Sequence, residues 1–516
     1  MTAERLAADP TSQADILDFL LHAEPGMRRV DTHASIVFLG KDRVLKIKRA
    51  VRLPFLDYST LALRHSACEE ELRVNQPFAP QIYRDVIAIT RDATGLMIDG
   101  DGEPVEWAVE MARFDETQGL DRLAAIGQLA SSTAIAMADA ILAAHADHPP
   151  LRGTGWPDGI AGLIQRNTDR FRSVDALAEA EVDDLDARSR AALTAGASVL
   201  RQRSEASFVR RCHGDLHLGN IVLMDDRPVL FDAIEFDPAI ATTDILYDLA
   251  FPLMDLLHYG NAAAANVLFN RYMQEGPRDN LDGLALLPLF LSMRAAVRAH
   301  VLFTKYEQKE DRAVRDEARR YFDLAIRCIN PAPPCLIAIG GLSGTGKSAL
   351  ARGIAPMIGP APGALVLRSD VIRKKQFGVG ETERLPASTY TPEASARVYT
   401  TLLADAARVA AEGHSVILDA AFLREEERAS FSTLSPTTIP HIGLFLTADR
   451  AVRIARIAER TNDASDATVP VAVQQEAIPL GAMDWHAIDA GGSCEQTLSA
   501  AGRYLRPGAS LAGKET

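Results

Sequence analysis

Two groups of residues in this sequence have the types and spacing for phosphate chemistry. The first is Gly341-Leu-Ser343-Gly344-Thr345-Gly346-Lys347-Ser348, which follows the apolar run 335–340. Gly341, Gly344 and Gly346 let the backbone fold into a nest. Its N–H groups, with those of Ser343 and Thr345, face an anion, and a helix opening at Lys347 adds its dipole. Lys347 can reach the β- and γ-phosphates of a nucleotide, and the Ser348 hydroxyl can join a Mg²⁺ shell. The second group is His213-Gly-Asp215, then Asn220, then an apolar hairpin ending in Asp232. Phosphoryl transfer needs one carboxylate to take a proton from the acceptor hydroxyl. It also needs an amide and a second carboxylate to hold Mg²⁺ across the phosphates.

The elements around each group differ in period. Residues 12–22 form an amphipathic stretch, with Thr11 or Ser12 as its cap. A β-hairpin follows, 36–39 and 44–48 about the turn 40–43, and places Lys46 and Lys48 on one strand face. In the helical stretch 59–76, Leu63, Ala67, Glu70 and Val74 recur at intervals of 4, 3 and 4. That spacing puts Glu70 on an otherwise apolar face, where a carboxylate wants a cation such as Lys46. Strands at 82–89 and 105–111 precede helices over 120–144 and 186–202. The segment Asn330-Pro-Ala-Pro-Pro334 cannot continue a helix and sets a domain boundary just before the Gly341 strand. Beyond it, strands at 364–368, 415–419 and 442–446 alternate with helices, as a doubly wound parallel sheet requires. Arg453, Arg456 and Arg460 share a helix face, where repulsion disfavours them unless an anion sits between; a solvated basic face is the alternative.

Composition narrows the function. The chain has 516 residues, 47% hydrophobic and 24% charged, with a net charge of −14. The length predicts more than one domain. The acidic balance argues against nucleic acid as a partner. Five cysteines without a C-x-x-C pair fit reduced thiols better than disulfides or zinc. No apolar signal core opens the chain, and the apolar stretch 281–303 is interrupted by Pro288, Arg294 and Arg298. It reads as a buried helix, so no membrane and a cytoplasmic location are expected.

Residues 30 to about 330 resemble the aminoglycoside phosphotransferase family of protein-kinase-like small-molecule kinases, through His213-Gly-Asp215 to Asn220 and the strand end at Asp232. The resemblance implies an α+β bilobal fold, with a small lobe over 25–112 and a large lobe over 113–330. It makes Asp215 the base, Asn220 and Asp232 the metal ligands, and Lys46 with Glu70 the nucleotide-lysine pair. Lys48, Glu69 and Glu71 lie beside that pair. In place of a Gly-rich loop, Thr32-His-Ala-Ser35 would cover the phosphates. Arg294 and Arg298, with His300 on the same helix, either line an acceptor pocket or snorkel from a buried helix. Residues 335–505 resemble small P-loop kinases related to gluconate kinase, chloramphenicol phosphotransferase and zeta toxins, with an α/β P-loop fold. There the likeness implies Asp370 at the acceptor hydroxyl with Arg373 orienting the acceptor, Asp419 as the Walker B carboxylate, and Arg456 and Arg460 as lid arginines; the tail 506–516 is loose. Together the two resemblances imply ATP and Mg²⁺ as cofactors and small polyhydroxylated acceptors such as a sugar or aminocyclitol. A kinase governed by a nucleotide-sensing module, or a nucleic-acid end kinase, are the other readings.

Overall fold

In a computed structural model the described residues are 13–53, 56–434, 439–460 and 463–505. The cap expected at Thr11 or Ser12 and the tail from 506 lie outside them. Contacts divide the chain into two compact units, 1–157 with 203–255, and 158–202 with 256–516.

The first unit is built on a six-stranded antiparallel sheet. Its spatial order is Arg28–Asp31, Ser35–Leu39, Arg43–Lys48, Glu103–Ala112, Tyr83–Asp92 and Gly95–Ile98. The strand Arg43–Lys48 lies inside the sheet, pairing with Ser35–Leu39 on one side and Glu103–Ala112 on the other. Leu45 and Ile47 join the core with Ile16, Leu17 and Leu20 of the helix Gln13–Leu21. Val44 turns the other way, into a core with Cys68, so Lys46 and Lys48 face the helix Leu61–Asn75. Thr60 caps that helix, accepting from the Leu63 N–H at 3.3 Å. The loop from Cys212 to Asn220 leads into the hairpin Ile221–Met224 and Arg227–Leu230, and the helix Ser131–Asp147 and residues 245–255 of the helix Ile245–His258 belong to the same unit. This is an α+β architecture, as expected.

The second unit holds a five-stranded parallel sheet. Its order is Leu365–Arg368, Val416–Asp419, Leu336–Gly341, His441–Thr447 and His486–Asp489. The fifth strand, His486–Asp489, was not anticipated, because four residues with a single buried apolar side chain carry little periodic signal. Ile337, Ile339, Ile417 and Leu444 pack with Leu350 and Ile354 from the helix Lys347–Ile354, which gives the α/β P-loop fold.

The proline-rich segment ends the helix Arg312–Ile329, as expected. It does not divide the packing, because the helices from 256 to 329 group with the parallel sheet. Asn270, on the helix Ala262–Glu275, shows why. Its Oδ1 accepts the Val366 N–H at 2.7 Å, and its Nδ2 donates to the Ala364 carbonyl at 3.1 Å. It thereby supplies the edge strand Leu365–Arg368 with partners that a neighbouring strand would otherwise provide. Arg278 with Asp405 (2.6 Å) and Arg408 with Asp282 (2.7 Å) reinforce the contact. The helical run 278–308 is the one among the described residues that is long and apolar enough to cross a membrane, and 67% of its apolar window is buried in the fold.

His414 lies buried in this unit, with Nε2 3.1 Å from the Gly363 carbonyl and its ring 5.3 Å from Phe269. Burial pushes its pKa down to about 4, although the Gly363 bond opposes this. Above the unfolded value near 6.5 both states are neutral and the group is silent. As pH falls below that, the unfolded chain takes up the proton first, and stability is lost down to the folded value. The expected loss is about 2 kcal/mol by pH 5. Melting curves between pH 7 and 5 should show this slope in the native chain and a shallower one in His414→Gln.

Candidate active sites

In the first unit, five charged side chains alternate in sign in one row, and three of them, Lys46, Asp232 and Glu235, line a cavity of about 450 Å³. Lys46 Nζ lies 2.6 Å from Asp232 Oδ1 and 2.7 Å from Glu71 Oε1. Lys48 Nζ lies 2.6 Å from Glu71 Oε2 and 2.5 Å from Glu235 Oε1. Lys46, Asp215, Asp232 and Glu235 line the cavity, as do Thr32 and Ser35. Burial alone would lower the Lys46 pKa, but the Asp232 and Glu71 carboxylates outweigh it and hold the ammonium well above its usual range. Burial would likewise raise Glu71, and the two lysines reverse that and lower it.

Glu71, and not Glu70, is therefore the partner of Lys46. Glu70 bonds Arg73 at 2.7 and 2.5 Å on the exposed side of the helix. The buried stripe of this helix is Arg64, Cys68, Glu71, Val74 and Asn75. Three of its members are polar, so counting apolar residues placed the stripe one position early, and Leu63 is 42% exposed. Each buried polar member has a partner. Arg64 pairs with the buried Glu106 at 2.9 Å. Asn75 accepts the Ala233 N–H at 2.6 Å and donates to the Ala233 carbonyl at 3.1 Å, which pins the backbone beside Asp232. Asp232 itself adopts φ +62°, and its N–H donates to the Tyr83 hydroxyl at 3.1 Å. Asn75 and Tyr83 were not singled out from the sequence. A single amide or hydroxyl in an apolar run shows no local sign of which distant backbone it will hold.

The loop carrying Asp215 is held from behind. His213 is buried and its Nε2 donates to the Phe231 carbonyl at 2.9 Å, while burial, opposed by Asp248 and Asp215, keeps its pKa below the usual value. Asp248 accepts the Gly214 N–H and Asp255 the Leu218 N–H, each at 2.9 Å. Asn220 Nδ2 donates to the Asp215 carbonyl at 2.9 Å and to its Oδ2 at 3.2 Å. Asp215 and Asp232 both line the cavity and Asn220 bonds Asp215, and oxygen donors of this kind fit a hard divalent cation. The Lys46 ammonium already resting on Asp232 shows that the carboxylate attracts a cation there. The Thr32–Ser35 turn is closed by its own bonds, with the Ser35 N–H donating to Thr32 Oγ1 at 2.9 Å. Arg294 and Arg298 are not among the residues lining this cavity. They lie in the second unit on the helix Leu287–Lys309, where Arg294 is buried and Arg298 sits over the Tyr321 ring at 5.6 Å.

In the second unit the phosphate loop forms as the spacing requires. Gly341 has φ +137° and Gly344 has φ +86°; a Cβ at either would lie 2.5 Å from a backbone oxygen, of Leu446 and Arg453 respectively. Gly346 opens the helix at φ +93°. Thr345 is buried and its hydroxyl bonds the Leu342 carbonyl at 2.8 Å, while the Ser343 N–H donates to Gln475 Oε1 at 2.8 Å. Lys347 Nζ donates to the carbonyls of Gly341 (2.8 Å) and Leu342 (3.1 Å), folding back over the loop. Burial lowers its pKa, against Asp419 and Asp370. Ser348 Oγ donates to Asp419 Oδ2 at 2.6 Å, which joins the two expected Mg²⁺ ligands at one corner. Arg368, not singled out from the sequence, reaches this corner too, 3.4 Å from Asp419 and 3.3 Å from Ser348, while pairing with Asp463 at 2.8 Å. An arginine closing a short apolar strand was the available signal.

Asp370 follows at the carboxyl end of that strand. Burial and then the Asp419 charge raise its pKa, which suits a proton acceptor. Arg373 is held by the Thr389 carbonyl (3.3 Å) and Ser395 Oγ (3.1 Å) and lies over the Tyr390 ring at 4.6 Å, so it orders the segment facing Asp370. The three arginines diverge. Arg453 is buried on Glu476, and Arg460 lies 3.9 Å from Asp463. Arg456 donates to the carbonyls of Ala490 (2.8 Å), Gly492 (2.8 Å) and Thr345 (3.4 Å), beside the phosphate loop.

Comparison with known proteins finds several likenesses. Residues 336–478 match the family model described as an AAA domain. The uncharacterized proteins Mb2027c of Mycobacterium bovis and Rv2004c of Mycobacterium tuberculosis are each 29% identical over 499 residues, 93% of this chain and 95% of theirs. Among solved structures, a gluconokinase from Sinorhizobium meliloti 1021 is 19% identical, covering 34% of this chain and 95% of its own, with a TM-score of 0.25. A choline/ethanolamine kinase family protein from Mesorhizobium loti is 14% identical, covering 62% and 99%, with a TM-score of 0.37. The GDP complex of aminoglycoside 2'-phosphotransferase-IIIa is 13% identical, covering 61% and 99%, also at 0.37.

Proposed function

We propose that the chain is a phosphotransferase with two nucleotide sites, each using ATP and Mg²⁺ to phosphorylate a hydroxyl of a small polyhydroxylated acceptor. One kinase domain spans 1–330 and the other 335–505. The observation that carries this reading is the presence of Lys46, Asp232 and Asp215 in one cavity, with Asn220 bonded to Asp215, and the independent pairing of Ser348 with Asp419 in the other unit. At the first site Asp215 accepts the proton of the acceptor hydroxyl as its oxygen bonds to the γ-phosphorus. The bond from that phosphorus to the β,γ-bridging oxygen breaks and ADP leaves. Lys46 binds the phosphates, and Asp232 with Asn220 holds Mg²⁺, which screens the phosphate charge. At the second site Lys347 and the loop N–H groups bind the phosphates, Ser348 and Asp419 hold Mg²⁺, and Asp370 receives the proton, with Arg373 keeping the acceptor side ordered. Arg456 and Arg460 flank the phosphates.

A screen of small-molecule hydroxyl compounds with labelled ATP tests the reading on the full chain. Lys347→Ala should remove one of two nucleotide equivalents, since a charged bond to phosphate contributes about 1.5–3 kcal/mol, or roughly 10–100-fold in affinity. Equilibrium titration with Mg-ATP counts the equivalents, and a single equivalent in the native chain contradicts the proposal.

A further inference from the structure

A nucleotide lysine with one helix glutamate is a balanced pair, yet this cavity buries a second lysine against the same glutamate. Lys48 is 1% exposed, Glu71 is fully buried and Glu235 is 8% exposed. Glu71 divides its two oxygens between the lysines, at 2.7 Å to Lys46 and 2.6 Å to Lys48, and Glu235 closes the far end at 2.5 Å from Lys48. Lys48 is not among the cavity-lining residues, whereas Lys46 and Glu235 are. Burying an ammonium is costly unless it is matched, so this arrangement is maintained by its own charges. The five groups Asp232, Lys46, Glu71, Lys48 and Glu235 hold three negative and two positive charges when ionised, a net of −1.

We infer that Lys48 is a positioning residue for nucleotide binding: it neutralises Glu71 and Glu235 so that Lys46 is left to exchange Asp232 for phosphate. The inference rests on the reading of this cavity as a nucleotide site. With Lys48 present, Glu71 is already satisfied on its far oxygen. When Asp232 turns to the metal, Lys46 keeps an anchoring contact to Glu71 and still presents charge to the phosphates. Without Lys48, both Glu71 and Glu235 weigh on Lys46 alone, and the site's net charge becomes −2, which repels a polyanion. At the short distances and low dielectric of this site, one added charge is a large perturbation.

The test is Mg-ATP titration of the full chain carrying Lys347→Ala, so that the first site is read alone. Lys48→Met is expected to weaken binding by about tenfold or more, a change of roughly 1.4 kcal/mol. Adding Glu235→Gln to Lys48→Met returns the net charge to −1 and is expected to recover binding to within about threefold of the parent, or roughly 0.7 kcal/mol. A purely structural lysine would not be rescued by removing a carboxylate. Glu235→Gln alone, nearly isosteric and so spared folding problems, is expected to tighten Mg-ATP, because it makes Lys46 more positive in its surroundings. Unchanged affinity in Lys48→Met, a double variant no better than the single, or weaker binding in Glu235→Gln overturns the inference. If the Lys347→Ala parent itself binds no Mg-ATP, the nucleotide reading of the cavity falls, and the role of Lys48 with it.

Discussion

Asp215→Asn, made in the Lys347→Ala chain, is expected to lower phosphoryl transfer at the first site by about 10²–10⁴-fold, while Mg-ATP affinity stays nearly unchanged. The asymmetry follows from the geometry. Asp215 is held by its neighbour Asn220, with Nδ2 2.9 Å from its carbonyl and 3.2 Å from Oδ2. The loop beneath it is fixed through Asp248 and Asp255. An asparagine keeps the size and can keep the loop, but cannot take a proton from an attacking hydroxyl. The lysine and metal ligands that bind the ground state are untouched, so the loss belongs to the transition state. Single-turnover transfer to the acceptor found in the screen, beside calorimetric Mg-ATP binding, separates the two quantities. Full transfer by this variant removes Asp215 from its role.

Glu71→Ala is expected to destabilise the first unit by about 3–5 kcal/mol and to abolish its nucleotide binding. Glu71 is fully buried between two ammonium groups, of which that of Lys48 is itself buried. Removing it leaves Lys46 and Lys48 facing each other, matched only by Asp232 and Glu235 on their outer sides. Glu70→Ala, one residue away, removes a pair with Arg73 whose side chains are 35% and 66% exposed, and should cost under about 1 kcal/mol. Scanning calorimetry of both variants beside the parent reads the contrast directly. Equal shifts for the two would put the glutamate partner of Lys46 back in question.

Local rules were enough where function depends on backbone geometry or on spacing within one loop. The phosphate loop needs glycines at 341, 344 and 346 and a lysine and serine directly after, and all of these lie within eight consecutive residues. Asp215 and Asn220 are five apart in one loop, and strand–helix alternation after 335 sufficed for a parallel sheet. The partner of Lys46 was beyond those rules. Positions 70 and 71 are separated by about 100° around a helix, and the buried stripe was hidden because it carries Arg64, Glu71 and Asn75 in place of apolar residues. Their burial is stable only because Glu106, the two lysines and the Ala233 backbone arrive from elsewhere in the chain. Arg368 belongs to the same class, since its value lies in reaching Ser348, Asp419 and Asp463, from 20 to 95 residues distant. The proline-rich segment 330–334 did end a helix, because proline acts on its own backbone. Where the packing divides was decided by Asn270 and its neighbours docking on the edge strand Leu365–Arg368. A backbone break is a local property of the chain; burial and charge pairing are settled only by what the fold brings alongside.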